Sequence, residues 1–409
     1  AITDWRLRAS FGKTGNMVDN QTPNLLLRQG SVDTYYGENV STVFALPNPN
    51  LRWEQTDQFN IGMDLSLFDN RLMVGGEFYH KHTRDAFSNV PVSSVNGVTQ
   101  YTMNSSDLTN RGFSLSLSGY PIKTKNWSWY LSTYYSAVFN KVETKSENEY
   151  GLNDYLNGTA IINGQPIGTF YSYTFLGLNP MNGMPYFDDY QDRQHLLMGK
   201  SLGQLMEMVM TNSGTREPYL TGSLYSTLRY KQWSLNTNFV YSLGNKIRKF
   251  ALYKDILDGV SSENNIRKEF VDRWRVPGDE RYTQYPSLIS PGDPDFTGYR
   301  YHWSAQGTED LRGFKTFGDS DWSMYDNANV RVVSGSYLRL SHVALHYQFT
   351  PKQLRKLPIS NLSLDFSMSN VFTIKSSELD GQDPTQSGFA IATALSLRPS
   401  YTFGLRITF

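Results

Sequence analysis

The residue types best suited to metal chemistry in this sequence are the acidic side chains of the stretch FDDYQDRQ. Asp188, Asp189 and Asp192 could hold Ca2+ through carboxylate oxygens, the ligands that this ion prefers. The stretch contains no glycine. The pattern therefore favours a solvated acidic loop, with a Ca2+ site as the alternative, and it predicts no other cofactor.

Two histidine pairs are the other candidates for metal binding. His80 and His82 alternate onto one face of a predicted strand, and His342 and His346 lie four residues apart. On a strand, that second spacing separates the Cα atoms by about 13 Å, at about 3.3 Å per residue. Neither pair by itself predicts a metal site, and histidines that are solvated or face the barrel lumen are the simpler interpretation.

No enzyme chemistry is indicated by the remaining residues. The chain contains no cysteine, and it contains no GxxxxGK[ST] phosphate-binding motif. Its 38 acidic residues offer many possible carboxylate pairs, but sequence spacing does not fix the separation in space that glycoside hydrolysis needs. The 38 basic residues balance the acidic ones, so no global charge attracts nucleic acid. We predict that the protein is not an enzyme and has no nucleic-acid partner.

Aromatic residues in the long segment 245–329 are the candidates for ligand contact. Tyr301, Trp303, Trp322 and Tyr325 lie there with several aspartates nearby in sequence. Flat rings beside hydrogen-bonding groups can stack on sugars or grip a peptide. The alternative is that these rings pack the segment itself or anchor a partner.

The elements that would position these residues are strands with two different faces. The final nine residues, YTFGLRITF, alternate apolar and polar side chains strictly, and the same alternation recurs at 59–67, 112–119, 233–243 and 362–368. The polar positions are mostly Ser, Asn, Gly and Thr, which is typical of the wet lumen of a transmembrane barrel. Alternation alone is also compatible with a soluble β-sandwich or propeller.

Segments of about 9 to 11 residues or longer match a tilted crossing of a bilayer. We predict an all-β, antiparallel transmembrane barrel wall with about twelve strands. Their predicted bounds are 3–14, 52–68, 71–84, 109–119, 127–144, 166–178, 183–190, 219–230, 232–244, 330–349, 361–374 and 399–409. With these bounds, the short links between consecutive strands, including 179–182, lie at one end of the barrel wall, and the long links lie at the other end.

The long link 245–329 exceeds the usual length of an unstructured loop, so we predict a folded extracellular cap there. Its first residues space Ile247, Phe250, Tyr253, Ile256 and Leu257 like a short amphipathic helix. No run of 18 apolar residues occurs, and the first residues lack the pattern of a signal peptide. An export signal is therefore expected outside this sequence.

Eight stretches in order give the chain a family resemblance. They are NPNLRWEQTDQFNIGMDL (48–65), NGQPIGTFYSYTFLGLNPMNGMPYFDD (163–189), YSLGNKIR (241–248), RWRVPGDE (273–280), YLRLSHVALHYQF (337–349), SNVFTI (369–374), GQDPT (381–385) and the terminal PSYTFGLRITF. In these stretches the chain resembles the SusC/RagA-like TonB-dependent outer-membrane transporters of the Bacteroidetes.

The resemblance implies a barrel of about twenty-two strands closed by an N-terminal plug. Residues 1–409 would be the C-terminal part of that barrel, without the plug. Implied partners are the N-terminal plug and barrel half of the same protein, a SusD-like surface lipoprotein, the TonB complex and outer-membrane lipid. The implied function is import of oligomers, usually oligosaccharides and in some members oligopeptides. A non-transporting β-rich surface binding module and a passive porin are the alternatives of other classes.

The end of the chain resembles the signal by which outer-membrane barrels are recognised and closed. Tyr401, Phe403 and the terminal Phe409 occupy the matching aromatic positions. The resemblance thus implies that the terminal alternation separates lipid from lumen and serves barrel assembly.

A charge on the apolar series of the last strand tests the lipid-facing assignment. We expect Leu405→Arg to lower the free energy of unfolding by about 2 to 4 kcal/mol if position 405 lies near the bilayer midplane. Urea unfolding of the intact protein in liposomes measures the effect. An unchanged unfolding midpoint would contradict a lipid-facing Leu405.

Overall fold

The computed structural model describes residues 2–17, 24–98, 100–144, 150–188, 195–197, 200, 202–253, 266–288, 321–386 and 396–409. In this described part the strands, in chain order, are β1 (Ile2–Asn16), β2 (Leu26–Val32), β3 (Asn39–Ala45), β4 (Glu54–Leu67), β5 (Leu72–Pro91), β6 (Gln100–Lys123), β7 (Trp127–Thr144), β8 (Thr169–Tyr173), β9 (Phe175–Leu178), β10 (Pro185–Phe187), β11 (Met210–Thr215), β12 (Leu220–Tyr230), β13 (Trp233–Leu243), β14 (Lys246–Arg248), β15 (Val332–Ser334), β16 (Tyr337–Gln348), β17 (Asn361–Lys375) and β18 (Ser400–Thr408). The helices are α1 (Leu152–Asn157), α2 (Leu202–Val209), α3 (Asp321–Asp326) and α4 (Pro351–Leu354).

Ten of the strands form one sheet in the order β1-β4-β5-β6-β7-β12-β13-β16-β17-β18. Every pairing in it is antiparallel, and each strand lies beside the next sheet strand along the chain. The remaining strands form four two-stranded sheets in the connections. Within the described residues β1 and β18 are free edges, so the sheet is not closed.

The antiparallel β fold confirms the predicted fold class, and ten of the twelve predicted barrel strands lie in this sheet. Segment 127–144 coincides with β7, whereas 109–119 is the inner part of the longer β6. The barrel strands predicted at 166–178 and 183–190 are wrong, because the described residues of these segments contribute β8, β9 and β10 to small sheets. All five residues of β8 are buried, so its aromatic side chains fill a loop core instead of facing lipid.

The predicted alternation of short and long connections is confirmed for the sheet. The short-turn end carries the links 68–71, 124–126, 231–232 and 349–360, and the long-loop end carries 17–53, 92–99, 145–219, 244–336 and 376–399. The link 179–182, predicted to be a turn at the short end, lies instead among the loops of the long-loop end. Barrels of this kind place short turns in the periplasm and long loops outside the cell.

Strand register keeps the apolar series together on one surface, here called the apolar face. Leu235 lies opposite Leu345, Leu345 opposite Phe366, and Phe366 opposite Phe403. Large apolar side chains on this surface are exposed, with Phe403 at 81%. On the other surface, the polar face, Gly75 lies opposite Ser116 and Ser114 lies opposite Ser136. A sheet with an exposed apolar face suits a lipid environment.

The main hydrophobic core lies in the loops and not on the sheet. We define the cap as the described residues of 150–217 and 245–335, which connect β7 to β12 and β13 to β16. Both connections contribute buried side chains to one cluster, among them Tyr155, Tyr173, Met206, Tyr253 and Tyr325. The cap predicted at 245–329 is therefore only half of a unit that two connections build together.

Local sequence explains two of the cap helices. The carboxylate of Asp154 accepts a hydrogen bond from the Gly151 backbone N–H (3.0 Å) at the start of α1, and Gly158 ends it with φ 68°. On α2, Leu205, Met206 and Val209 share one buried side. No helix in the described ranges is both long and apolar enough to cross a bilayer.

The amphipathic helix predicted at the start of segment 245–329 is wrong in its described part. Ile247 lies in the short strand β14, and residues 249–253 follow without helical structure. Backbone groups here bond to distant parts of the cap; the Leu252 N–H, for instance, donates to Asp326. Ile256 and Leu257 lie outside the described residues.

Two glycines with left-handed backbone provide a matched test of cap packing. A Cβ atom on Gly183 (φ 67°) would lie 2.4 Å from the Trp274 ring, whereas one on Gly381 (φ 92°) would meet no atom within 4 Å. We expect Gly381→Ala to cost about 1 to 2 kcal/mol of backbone strain. Gly183→Ala should cost about 1 to 3 kcal/mol more, because overpacking is added to that strain.

Thermal unfolding of the two intact variants, compared with the unsubstituted protein, measures the difference. Equal losses of stability in both variants would mean that the Trp274 contact contributes nothing to the cap.

Candidate functional site

A cleft opens at the long-loop end where the cap meets the last loop, the connection 376–399 between β17 and β18. Its volume is 470 Å3. The cap contributes Phe250 and the short helical turn that begins at Arg267, and the last loop contributes residues on both sides of its undescribed stretch: Asp380, Gly381, Gln382, Ser396, Leu397 and Arg398. This volume is within the range of ligand-binding clefts, about 300 to 1,000 Å3.

Charged side chains line the cleft. Lys268 and Asp380 form an ion pair across it, which joins the cap to the last loop. Arg267 contacts Glu269 at 3.2 Å, and the Glu269 side chain is 4% exposed. Arg398 is exposed and has no ion-pair partner in the part of the chain that the structure describes. The cleft thus offers both signs of charge to a ligand.

Glu269 stays ionised despite its burial. Burial raises the pKa of this carboxyl, but hydrogen bonds and charge from Arg267 lower it by more, so the pKa lies below its usual value. Lys249 adds a second cation at 3.8 Å from the Glu269 carboxylate. An ionised carboxylate beneath the cleft therefore holds the Arg267 guanidinium in place.

The side chain of Gln382 fastens the last loop to the cap. Its amide oxygen accepts a hydrogen bond from the Phe250 N–H (2.9 Å), and its amide nitrogen donates to the backbone oxygen of Arg248 (3.1 Å). Gln382 is buried. Two hydrogen bonds on one buried side chain fix the wall of the cleft relative to the cap core.

Arg248 connects the two halves of the cap. Its guanidinium donates to the backbone oxygens of Leu156 and Tyr171, both at 3.0 Å, and to Ser172 Oγ at 2.8 Å, all in the first connection. In the second connection it donates to Asn327 Oδ1 at 2.9 Å. Burial lowers the pKa of Arg248 to about 9, so the guanidinium remains charged at neutral pH.

Asp326 and Arg331 satisfy the backbone beside the cleft. The Asp326 carboxylate accepts hydrogen bonds from the Leu252 N–H (2.6 Å) and the Tyr253 N–H (2.9 Å). The Arg331 guanidinium donates to the Phe250 backbone oxygen at 2.7 Å. Segment 250–253 has no regular structure, so these buried charges replace the partners that a helix or strand would supply.

A buried ion pair attaches the last loop to the sheet. Arg339 of β16 contacts both carboxylate oxygens of Asp383 at 2.8 Å, and its Nε donates to Thr373 Oγ1 of β17 at 2.9 Å. The side chains of the pair are 7% and 6% exposed. Thr385 donates to Asp383 through its N–H and its hydroxyl. The far wall of the cleft is thus tied to the barrel wall.

The described residues of the cleft are arranged for binding. They combine hydrogen-bonding groups and charges of both signs around an open volume. Among the described residues, no group of three or more His, Asp or Glu side chains is placed to hold a metal ion. The arrangement can grip a polar or charged ligand noncovalently.

The predicted ligand-contact residues are placed as follows. Tyr301 and Trp303 lie outside the described residues, and Trp322 lies in α3. Tyr325 lies in the cap core with 1% of its surface exposed, and its ring packs edge-on against Phe175 and Tyr253. Ligand contact by the set stays a prediction, but for Tyr325 the structure shows packing and no exposed surface.

The candidate metal ligands are not brought together by the described fold. Asp189 and Asp192 lie outside the described residues, and Asp188 follows β10 with its N–H bonded to the Thr174 oxygen. In the histidine pairs, His82 contacts Thr109 Oγ1 (3.1 Å) and His346 contacts Asp365 Oδ1 (2.6 Å). These contacts join neighbouring strands, as expected of structural polar pairs.

The proposed assembly residues lie at the last edge of the sheet. Tyr401 and Phe403 are in β18, on the apolar face, and Phe409 follows the strand directly. All three side chains are well exposed. Their placement suits a lipid-facing edge strand, and their role in assembly stays a prediction.

Sequence reasoning gave no role to the residues that build the cleft and its anchors. Arg248, Arg339, Gln382 and Asp383 all lie within stretches that carry the family resemblance, YSLGNKIR, YLRLSHVALHYQF and GQDPT. The available signal was a charged or amide side chain within a stretch that carries the resemblance. Their burial could not be foreseen, because it depends on contacts between distant segments, such as Arg339 with Asp383.

Breaking the buried ion pair tests whether it fixes the last loop. We expect Asp383→Ala in the intact protein to cost about 3 to 5 kcal/mol of stability, because it leaves the Arg339 charge buried and uncompensated. The control is Glu143→Ala, which breaks the exposed pair with Lys141 and should change stability by less than about 1 kcal/mol. Denaturant unfolding measures both.

The pair should also make stability depend on acid. Burial raises the pKa of Asp383, but hydrogen bonds from Thr385 and Arg339 lower it by a larger amount. The pKa of this carboxyl therefore lies below its ordinary value of 3.8. The stabilisation is therefore complete above pH 3.8 and lost as the pH falls through the folded-state pKa. Asp383→Ala should show a smaller loss of stability over that acid range, and an identical profile would contradict the assignment.

Comparison with known proteins places this architecture in a family. The family model described as TonB dependent receptor-like, beta-barrel, matches residues 1–256. TonB-dependent receptor P3 of Formosa agariphila is 26% identical over 407 residues, covering 94% of this chain and 36% of the relative. TonB-dependent receptor SusC of Bacteroides thetaiotaomicron is 31% identical over 152 residues, covering 35% of this chain and 15% of SusC.

A solved structure shows the same fold over the whole chain. The RagAB peptide transporter matches with a TM-score of 0.74 and 20% identity, covering 100% of this chain and 41% of the matched one. This chain therefore spans well under half the length of the relatives that it matches. Proteins of this family are outer-membrane transporters and not enzymes, as the sequence predicted.

The sheet, its exposed apolar face, its loop cap and the family match agree, and the chain belongs to the TonB-dependent receptor-like β-barrel family.

Proposed function

We propose that this chain supplies part of the wall and the outer cap of a transporter that imports oligomeric nutrients across the outer membrane. The observation that carries the proposal is the charged cleft between the cap and the last loop. It lies at the long-loop end of a ten-stranded transmembrane sheet. A ligand held there would lie at the mouth of the barrel. Energy would come from the TonB complex, acting on a plug outside this chain.

The remainder of the same protein is the first proposed partner. In lipid, each unpaired backbone group costs several kcal/mol, so the free edges of β1 and β18 need further strands. The chain covers 36% of its relative P3, which leaves length for those strands and a plug. These two facts support a barrel closed by residues that lie outside this sequence.

A SusD-like surface lipoprotein is the second proposed partner. The match to SusC and to the RagAB transporter supports a partner of this kind. The cap provides a surface with its own core, held by Arg248, on which a lid could rest without disturbing the sheet. The long loops would then form both a wall for the ligand and a contact with the lid.

The geometry favours oligopeptides as the cargo, with oligosaccharides as the alternative. Arg398 could meet a peptide carboxylate, while Asp380 could balance an ammonium group. Stacking on a sugar needs an exposed ring, and the one aromatic residue in the described cleft lining, Phe250, is 4% exposed. The family resemblance implies oligosaccharide import and so supports the alternative, whereas the predicted contact residues Tyr301, Trp303, Trp322 and Tyr325 suit sugars and peptides alike.

Two functions of other classes are less well supported. A soluble surface binding module would not expose an apolar face across ten strands. A passive porin would not need a cap that is held by buried ion pairs, and it would not need a plug that closes its lumen. Family membership favours active import over both.

Cargo binding by the intact transporter, purified with its native partners in mild detergent, tests the proposal. The probes are a mixture of tri- to decapeptides from a casein digest and a mixture of starch-derived oligosaccharides, with bound species identified by mass spectrometry. We expect peptides to be retained, and Arg398→Gln to reduce retention about tenfold through the loss of a charge-assisted contact.

The matched control is Lys356→Gln, which removes an exposed cation at the short-turn end. Retention of oligosaccharides alone would replace the peptide assignment with the glycan alternative. Uptake of neither class in cells, or uptake that persists without TonB, would contradict active import.

A further inference from the structure

The polar face of the sheet is divided into two sectors that differ in charge. Residues directly opposite one another in neighbouring strands share a face, so the register assigns each polar-face position to a row. The first, here called the neutral sector, consists of every second residue of 110–118, 130–140, 221–227 and 236–242, on β6, β7, β12 and β13. None of these side chains is charged. Because the polar face lines the lumen of such a barrel, four consecutive strands present a lumen wall without charge.

The second, the charged sector, lies beside it on β1, β4 and β5. It consists of every second residue of 4–12, 58–66 and 73–81. Two ion pairs lie within it, Arg8 with Asp64 at 2.5 Å and Arg6 with Asp4 at 3.3 Å. The inner wall therefore changes from charged to neutral between β5 and β6. The charged side chains of this sector are Asp4, Arg6, Arg8, Asp64, Glu77 and Lys81.

Tyrosine rings and small polar groups form the surface of the neutral sector. Tyr134 and Tyr225 are 46% and 40% exposed. The Tyr79 ring of β5 covers the edge of the sector, since a Cβ atom on Gly112 would lie 2.5 Å from the Tyr79 hydroxyl. Most of the other side chains are Ser, Thr or Asn, whose hydroxyl and amide groups can both donate and accept hydrogen bonds. Such a surface can bond to a peptide backbone at many positions without a fixed charge.

The neutral sector is continuous with the loops that form the cleft. At their long-loop ends, β7, β12 and β13 continue into the cap, and the cap supplies Phe250 and the turn at Arg267 to the cleft. The connections 17–53 and 92–99, which follow β1 and β5, contribute nothing to the described cleft lining. A ligand that leaves the cleft toward the periplasm therefore passes strands of the neutral sector.

We propose that an oligopeptide in transit moves through the lumen along the neutral sector. Its backbone would bond in turn to the hydroxyl and amide groups, and its side chains would pack against Tyr134 and Tyr225. The inference rests on the proposed import of peptides, and it adds the side of the barrel on which they pass.

The strength of the available contacts favours the neutral sector for a moving chain. Hydrogen bonds that involve a charged group are about twice as strong as those between neutral groups. Passage through a pore requires binding that is favourable enough for entry and weak enough for release. Neutral hydroxyls meet that requirement. The charges of β1, β4 and β5 instead suit a part of the lumen that must be held, namely the plug.

Photocross-linking of the intact transporter in its own outer membrane tests the route. Tyr134→p-benzoylphenylalanine and Tyr225→p-benzoylphenylalanine place the cross-linker in the neutral sector. The control, Asn60→p-benzoylphenylalanine, places it in the charged sector, on β4. Cells are irradiated during uptake of tri- to decapeptides from a casein digest, with and without TonB, and mass spectrometry identifies the attached species. Heat-modifiable gel mobility confirms that each variant is folded.

We expect peptides to be attached at positions 134 and 225 about tenfold more often than at position 60, and only when TonB is present. Equal attachment at the three positions, or attachment that persists without TonB, would overturn the route while leaving peptide import intact. A complete lack of peptide uptake by the unsubstituted transporter would instead contradict the proposed function, and this inference with it.

A double variant measures what the two rings contribute. We expect Y134S/Y225S to lower the rate of peptide uptake about fivefold at subsaturating peptide, while peptide retention by the purified transporter is unchanged because the cleft is intact. The matched control, Q58S/N60S, shortens two polar side chains of the charged sector and should leave uptake unchanged. Equal uptake by the two variants would show that the rings do not contact the cargo, and the assignment would fail.

Discussion

Backbone hydrogen bonding in lipid is the constraint on which the rest of this structure depends. A strand that crosses a bilayer finds no water, so its amide and carbonyl groups must pair with neighbouring strands. Continuous antiparallel pairing from β1 to β18 meets this requirement for the eight inner strands, while β1 and β18 each keep one open edge within the described residues. Pairing fixes the register, the register fixes which side chains face lipid, and the strand ends fix where the cap and the cleft can form.

The sheet could be predicted from sequence because apolar and polar side chains alternate with a period of two residues along a membrane strand. The series Phe59, Ile61 and Met63 identifies β4 without any tertiary information, and β7 was predicted at its observed bounds. The same reasoning failed for 166–178, where Tyr171 and Tyr173 are both aromatic and both buried. A short strand that is packed on both sides inside a loop core has an aromatic-rich composition similar to that of a membrane strand. Only its burial distinguishes it from a strand of the barrel wall.

The cleft was harder to predict because its parts come from distant segments. Gln382 bonds to Phe250 across 132 residues, and Arg339 to Asp383 across 44. Sequence alone shows such residues as ordinary polar side chains in loops. Their importance follows from burial, since a buried charge or amide must find a partner and thereby joins the segments that supply it. The ligand-contact residues were predicted from their aromatic side chains, but the Tyr325 side chain is buried in the cap core.

The shared core of the cap sets an order of events during biogenesis. Its two halves leave the sheet after β7 and β13 and return to it at β12 and β16, and Arg248 of the second half bonds to Leu156 and Tyr171 of the first. The core can therefore be completed only after both connections have been translocated to the outer side. Until then, Phe175 of the first connection is without the Tyr325 ring against which it packs in the folded cap.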